Sequence, residues 1–198
     1  MSTDSRASMV RSAASLIRSR GVNATSFSDV LADSGAPRGS IYHHFPDGKR
    51  QLAEDAIQST SERLLAHLRA GSPTSPSDVL ERFIAMWRQV VVASAGSAGC
   101  VVAGVAIDTV PGEKELMEVV RATFRSWVAA LAEELEAAGV PSARATPIAM
   151  ATLAAMEGAL ILCRAEGDVR PLEAVAKELM GLLPVERRGR RKRPVHSS

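Results

Sequence analysis

Residues 34–49 read SGAPRGSIYHHFPDGK, and this stretch decides how the rest of the chain is read. Gly35 follows a short apolar segment, and Pro37 supplies a helix start where a missing N–H does no harm. Ile41 and Phe45, four residues apart, share one side of a third helix. Arg38, Ser40, Tyr42, His43 and His44 fall elsewhere on it. A short rod with two apolar anchors and otherwise basic, hydroxyl and imidazole groups is built to enter a DNA groove rather than a core.

Two helical patterns precede it. The first runs from about Arg6 to Arg20, with Met9, Ala13, Leu16 and Ile17 on one stripe, and Gly21 ends it. Thr25 and Ser26 then offer capping hydroxyls to a second short helix, whose Phe27, Val30 and Leu31 have i, i+3, i+4 spacing. The three helices close a small core of Ile17, Phe27, Val30, Leu31, Ile41 and Phe45. Two helices joined by a tight Gly-containing turn, the second polar-faced, match the helix-turn-helix. Gly39 and Ser40 let the backbone approach a groove closely, and Arg38 reaches guanine edges or a phosphate. Tyr42, His43, His44, Thr25 and Ser26 are candidate phosphate donors, and Lys49 joins them from the start of the next helix.

Beyond Pro46-Asp47-Gly48 the pattern stays helical. Long helices are expected from Lys49 to Ala70, from a cap at Ser77 or Asp78 to about residue 95, and from residue 113 to Ala138. A short apolar helix covers about Cys100 to Asp108. A further helix runs to about Ala165, starting either at Thr146-Pro147 or at Ser142 with a kink at Pro147. Pro171 opens a last helix through Leu172, Val175, Leu179 and Leu183. The expected fold is all-α. A helix-turn-helix DNA-binding domain occupies residues 1–48, and a larger helical ligand-binding and dimerisation domain occupies 49–184. Residues 185–198 form a basic tail with nothing to bury, expected to be disordered.

Charge supports this division. The formal net charge is only +2, but residues 1–50 carry seven Lys/Arg against four Asp/Glu, a net of +3. Residues 51–184 carry a net of −6 and residues 185–198 a net of +5. Basic ends around an acidic middle suit a polyanion partner at the ends only. There is no P-loop, no H-E-x-x-H and no G-x-S-x-G, so enzymatic activity and a bound cofactor are not expected. The two cysteines, Cys100 and Cys163, lack disulfide-framework or zinc spacing. They are read as buried small hydrophobes, with a redox-sensing pair as the alternative. No signal peptide or bilayer-spanning stretch is visible, so a cytoplasmic protein that does not engage membranes is expected.

The sequence resembles the TetR family of transcriptional regulators. The likeness lies in Gly21-Val22-Asn23-Ala24-Thr25-Ser26-Phe27 and in Gly35-Ala36-Pro37-Arg38-Gly39-Ser40-Ile41-Tyr42-His43-His44-Phe45. Pro37-Arg38-Gly39 and Phe45-Pro46-Asp47-Gly48-Lys49 look like its LmrA/YxaF-like subgroup. Most relatives have a hydroxyl residue where Pro37 stands, so a phosphate contact typical of the family is missing there. The resemblance implies a homodimer that packs through its last two helices, a ligand cavity in each subunit, and double-stranded operator DNA as partner.

The residues themselves reach part of this. The small face of Ala151, Ala155, Gly158 and Ala159, with Leu162 and the stripe of Leu172, Val175 and Leu179, suits close approach of two subunits. Burial within one subunit is the alternative. Phe83, Met86, Trp87, Val105, Met117, Phe124, Trp127 and Met156 are candidates to line a cavity for a small apolar effector. Each, taken singly, also suits plain core. The expected function is a repressor released from a palindromic operator by ligand. A helical protein-interaction adaptor is the rival, and it leaves the basic helix unexplained.

Overall fold

A computed structural model of the chain describes residues 2–71, 74–109 and 113–183. Among the described residues there are nine helices and no strand: α1 (Ser2–Arg20), α2 (Phe27–Ser34), α3 (Ser40–His44), α4 (Gly48–Arg69), α5 (Pro76–Ala93), α6 (Val101–Asp108), α7 (Lys114–Ala137), α8 (Ser142–Glu166) and α9 (Arg170–Met180). The basic tail, residues 185–198, lies outside the described residues.

The head is fixed by local chemistry. Ser26 and Asp29 form a capping box: Ser26 Oγ accepts from the Asp29 N–H at 3.2 Å, and the Asp29 carboxylate accepts from the Ser26 N–H at 2.9 Å. Gly35 ends α2 in the left-handed conformation, φ 68°, its N–H donating to the Leu31 carbonyl.

The starts of α3 and α5 differ from the sequence expectation, and at α8 the structure decides between the two starts left open. The third helix begins at Ser40, not Pro37, and has five residues. Pro37-Arg38-Gly39 form a turn closed by the Ser40 N–H on the Pro37 carbonyl at 3.0 Å. Neither Pro37 nor Gly39 has a side chain able to cap, so nothing holds an earlier helical turn. The fifth helix is capped by Ser75, not by Ser77 or Asp78, because Pro76 at the first position needs no N–H partner and Ser75 Oγ accepts from the Asp78 N–H at 3.2 Å. In α8 the helix begins at Ser142 and runs through Pro147, its sixth residue, where the missing N–H forgoes one backbone bond.

One continuous apolar cluster runs from Met9, Ile41 and Phe45 in the head to Trp127, Leu160 and Leu179 in the body. α1 packs on α4 and α6 as well as on α2 and α3, while α7 lies against α4 and α8, and α8 against α9. Of the expected head core, Ile17, Val30, Ile41 and Phe45 are buried, and Phe27 and Leu31 pack at its margin. α8 is long and apolar enough to cross a membrane. Met156, Leu160 and Cys163 nonetheless pack its inner side into this core.

Candidate nucleic-acid interface

Ile41 and Phe45 are fully buried and clamp α3 onto the head. Arg6 reinforces the clamp, with its guanidinium 5.5 Å from the Phe45 ring centre and 2.6 Å from Asp55 of α4. What the clamp leaves outside is the candidate interface. Tyr42 is 71% exposed and rests its ring edge-on against Phe27, centroids 5.7 Å apart, which aims the phenol outward. His43 is exposed, and half-buried His44 sits between it and Phe45. Arg38 and Gly39 are exposed in the turn that leads into α3.

The hydroxyl candidates are placed differently from one another. Ser40 donates to the Pro37 carbonyl at 2.7 Å and holds the turn. Ser26, exposed, donates to Asp29 at 2.6 Å within the capping box. Thr25 is buried and donates to the Gly21 carbonyl at 2.8 Å, so its hydroxyl braces the loop and is not offered to a phosphate. Lys49 is exposed and donates to the Asn23 carbonyl at 3.0 Å, which ties the start of α4 to the loop between α1 and α2. An ammonium so held keeps two further N–H groups for solvent or phosphate.

Sequence reading missed the residues that join head to body. Asn23 donates through its side chain to the Asp108 carbonyl at 2.8 Å and through its backbone N–H to the Asp108 carboxylate at 3.3 Å. The only signal was an amide side chain between Val22 and Ala24, and nothing in the pattern pointed to a partner 85 positions away.

The eight cavity candidates split in two. Phe83, Trp87, Val105, Trp127 and Met156 are buried, while Met86, Met117 and Phe124 are half-buried. The aromatics form an edge-to-face chain with centroids 6.2 Å apart for Phe83–Trp87 and Trp87–Trp127, and 5.7 Å for Phe124–Trp127. Trp127 also donates to Ser61 at 3.0 Å, which is how a core indole is satisfied. Only Met86 and Trp87 of the eight border the hollow of about 480 Å³ between α1, α4 and α5. A second hollow, of about 400 Å³, lies between α1, α6 and α8 and is bordered by Arg18, Cys100 and Glu157. Burial raises the Glu157 carboxyl to a pKa of about 7, with the Cys100 thiol pulling the other way.

On α8 and α9, Ala151, Gly158 and Leu162 are exposed and Ala155 and Val175 are half-buried. Ala159, Leu172 and Leu179 instead face this subunit's own interior, because α9 folds back along α8 and takes up that side. Ile161, 62% exposed, and Leu182, 39% exposed, extend the outward apolar face and were not foreseen. Both cysteines are buried, and burial pushes both thiols up, Cys100 strongly. Thiols held protonated are poor nucleophiles, which counts against a redox pair.

Comparison with known proteins agrees with this geometry. Residues 10–56 match the family described as bacterial regulatory proteins, tetR family, and residues 76–178 match the LmrA/YxaF-like C-terminal domain of transcriptional regulators. An uncharacterised HTH-type transcriptional regulator of Mycobacterium tuberculosis is 37% identical over 91% of this chain and 95% of its own length. The HTH-type regulator YxaF of Bacillus subtilis is 30% identical over 89% and 93%. Among solved structures, a TetR transcriptional regulator from Legionella pneumophila superposes with a TM-score of 0.79 at 22% identity, covering 89% of this chain and 96% of that one. One from Agrobacterium tumefaciens gives 0.77 at 26%, covering 92% and 99%. The outward α3 and the family matches converge on one conclusion: the chain belongs to the TetR family of transcriptional regulators, with a C-terminal domain of the LmrA/YxaF-like kind.

Proposed function

We propose that the protein is a cytoplasmic homodimeric repressor that holds a palindromic operator and releases it when a small, largely apolar molecule binds among its helices. The observation that carries this reading is the exposed set of Arg38, Tyr42 and His43 on a short helix anchored by Ile41 and Phe45. Arg38, Gly39 and Tyr42 read or grip the groove, with His43, His44 and Lys49 on the backbone. Ser26 and Ser40 contribute mainly by fixing the shape that presents them.

The outward apolar face of α8 and α9 supports self-association. Leu162, 51% exposed, and Ile161 would stand uncovered on a monomer, and a two-fold axis through small residues buries them against their own copies. Two heads on that axis read two half-sites. The effector acts by population shift: it must favour a head spacing unsuited to the operator by a few kcal/mol, because equal affinity for both states shifts nothing. Lys49 on Asn23 and Asp108 on Asn23 are the bonds through which α4 and α6 transmit that preference to the head.

Retention of source-genome fragments by the purified protein tests the reading. Recovery of a few sites with a shared inverted repeat is the expected result. Recovery of fragments in proportion to their abundance refutes sequence-specific binding.

A further inference from the structure

Arg18 of α1 and Trp87 of α5 both border the hollow between α1, α4 and α5. Trp87 is only 4% exposed, and its indole N–H finds no hydrogen-bond partner within the protein. The same is true of the buried Arg18 Nε–H. Buried donors are rarely left unpaired, and two such side chains beside one hollow are an acceptor short. Trp127 shows the contrast, since the neighbouring indole has Ser61.

The charge is equally uncompensated. No carboxylate borders this hollow; Glu157 and Asp108 border the second hollow, which Arg18 also lines, yet among the described residues Arg18 makes no ion pair with either. Arg63 stands at the rim, so a second guanidinium adds to the positive field. Burial and the like charge of Arg63 both work against the protonated Arg18. A guanidinium kept half-buried without a counter-charge is costly unless an anion completes it. The rest of the wall is mixed: Leu64, Met86, Val90, Ala93 and Ala98 give it an apolar side, and Ser15, Thr60, Gln89 and Ser94 a polar one.

We propose that this hollow binds a small organic acid, its anionic headgroup received by the Arg18 guanidinium and the Trp87 indole N–H and its apolar body by Leu64, Met86 and Val90. A neutral carbonyl would satisfy the indole but leave the two guanidinium charges opposed; an anion meets both needs. The site differs from a wholly apolar cavity among α5 to α8, because one of its walls is the first helix of the DNA-binding head. Arg18 lies three residues before Gly21, so a bound acid grips the helix that leads into the helix-turn-helix. Any effect on the operator rests on the repressor reading; the binding itself does not, and it is measured without DNA.

Two dyes of nearly one shape separate headgroup from body: 1-anilinonaphthalene-8-sulfonate and its uncharged relative N-phenyl-1-naphthylamine. The wild-type protein is expected to bind the sulfonate about tenfold or more tightly than the neutral dye. Arg18→Met, which keeps an apolar stem, should remove about tenfold of the sulfonate affinity, and Trp87→Phe, which keeps a ring but no N–H, several-fold. Neutral-dye binding should change little. In ¹⁵N-labelled protein the chain's two indole N–H signals are separable, and the one lost in Trp87→Phe should move on sulfonate binding. Equal affinity for the two dyes, or an unchanged sulfonate preference in both variants, overturns the proposal. Should both variants fail to fold, Arg63→Gln at the exposed rim decides. A reduced sulfonate preference supports the site, and an unaltered one removes it.

Discussion

The carboxylate of Asp108, the last residue of α6, stands where a β-carbon on Gly21 would have to be. Gly21 also has φ 86°, a conformation that costs other residues about 1 kcal/mol or more. Backbone conformation thus requires glycine, and an added β-carbon would also have to displace the carboxylate of the residue that accepts both bonds from Asn23. Gly21→Ala is expected to destabilise the protein by about 2–4 kcal/mol. In an Asp108→Ala background the same change should cost only the conformational share, about 1–2 kcal/mol. Urea unfolding of the four proteins measures the difference, and full additivity would mean that Asp108 does not press on this turn.

Glu157 gives a pH dependence whose sign is fixed by burial. Its folded pKa of about 7 exceeds the ordinary 4.5, so the folded state holds the proton more tightly than the unfolded one. No penalty exists below about pH 4.5. It grows as pH rises towards 7, where the ionised carboxylate sits in a poorly solvated place, and is constant above. Glu157→Gln should therefore match the wild type near pH 5 and exceed it by about 1–3 kcal/mol at pH 8. Thermal melts across this range measure it, and a pH-independent difference would place the carboxyl in water.

Trp127 is the keystone of the aromatic chain rather than a cavity wall. Trp127→Ala is expected to cost about 3–5 kcal/mol. Trp127→Phe keeps the ring contacts but deprives the buried Ser61 hydroxyl of its donor, at about 1–2 kcal/mol. Denaturant midpoints check both. A small loss for the alanine variant would put the indole on a ligand instead.

At the interface, Arg38→Ala should weaken the operator complex by about 1–3 kcal/mol and relax sequence preference. Lys49→Ala should weaken operator and random DNA alike and lower the salt slope by about one. Fluorescence anisotropy at several salt concentrations distinguishes them. Equal losses on both DNAs for Arg38→Ala would make it a phosphate contact only.

Much of this was legible in the chain because local rules act within a few residues. Ser26, Gly35, Ile41 and Phe45 each do what their spacing says. The start of α3 was misread because proline at a first helical position is a statistical habit, and here no cap supports it. Long-range pairings left no periodic trace. Asp108 with Asn23, and the inward turn of Ala159, Leu172 and Leu179, depend on which helices become neighbours. Thr25 shows the limit at the site itself: a hydroxyl in the right motif can serve the fold.

Nuclease footprinting of the purified protein on a retained genomic fragment, beside its oligomeric state in sedimentation, bears most directly on a two-headed DNA reader. The expected result is a dimer protecting two half-sites related by a two-fold axis, centred about 34–36 Å apart or a multiple of that spacing. Protection of one asymmetric half-site by a monomer would contradict it.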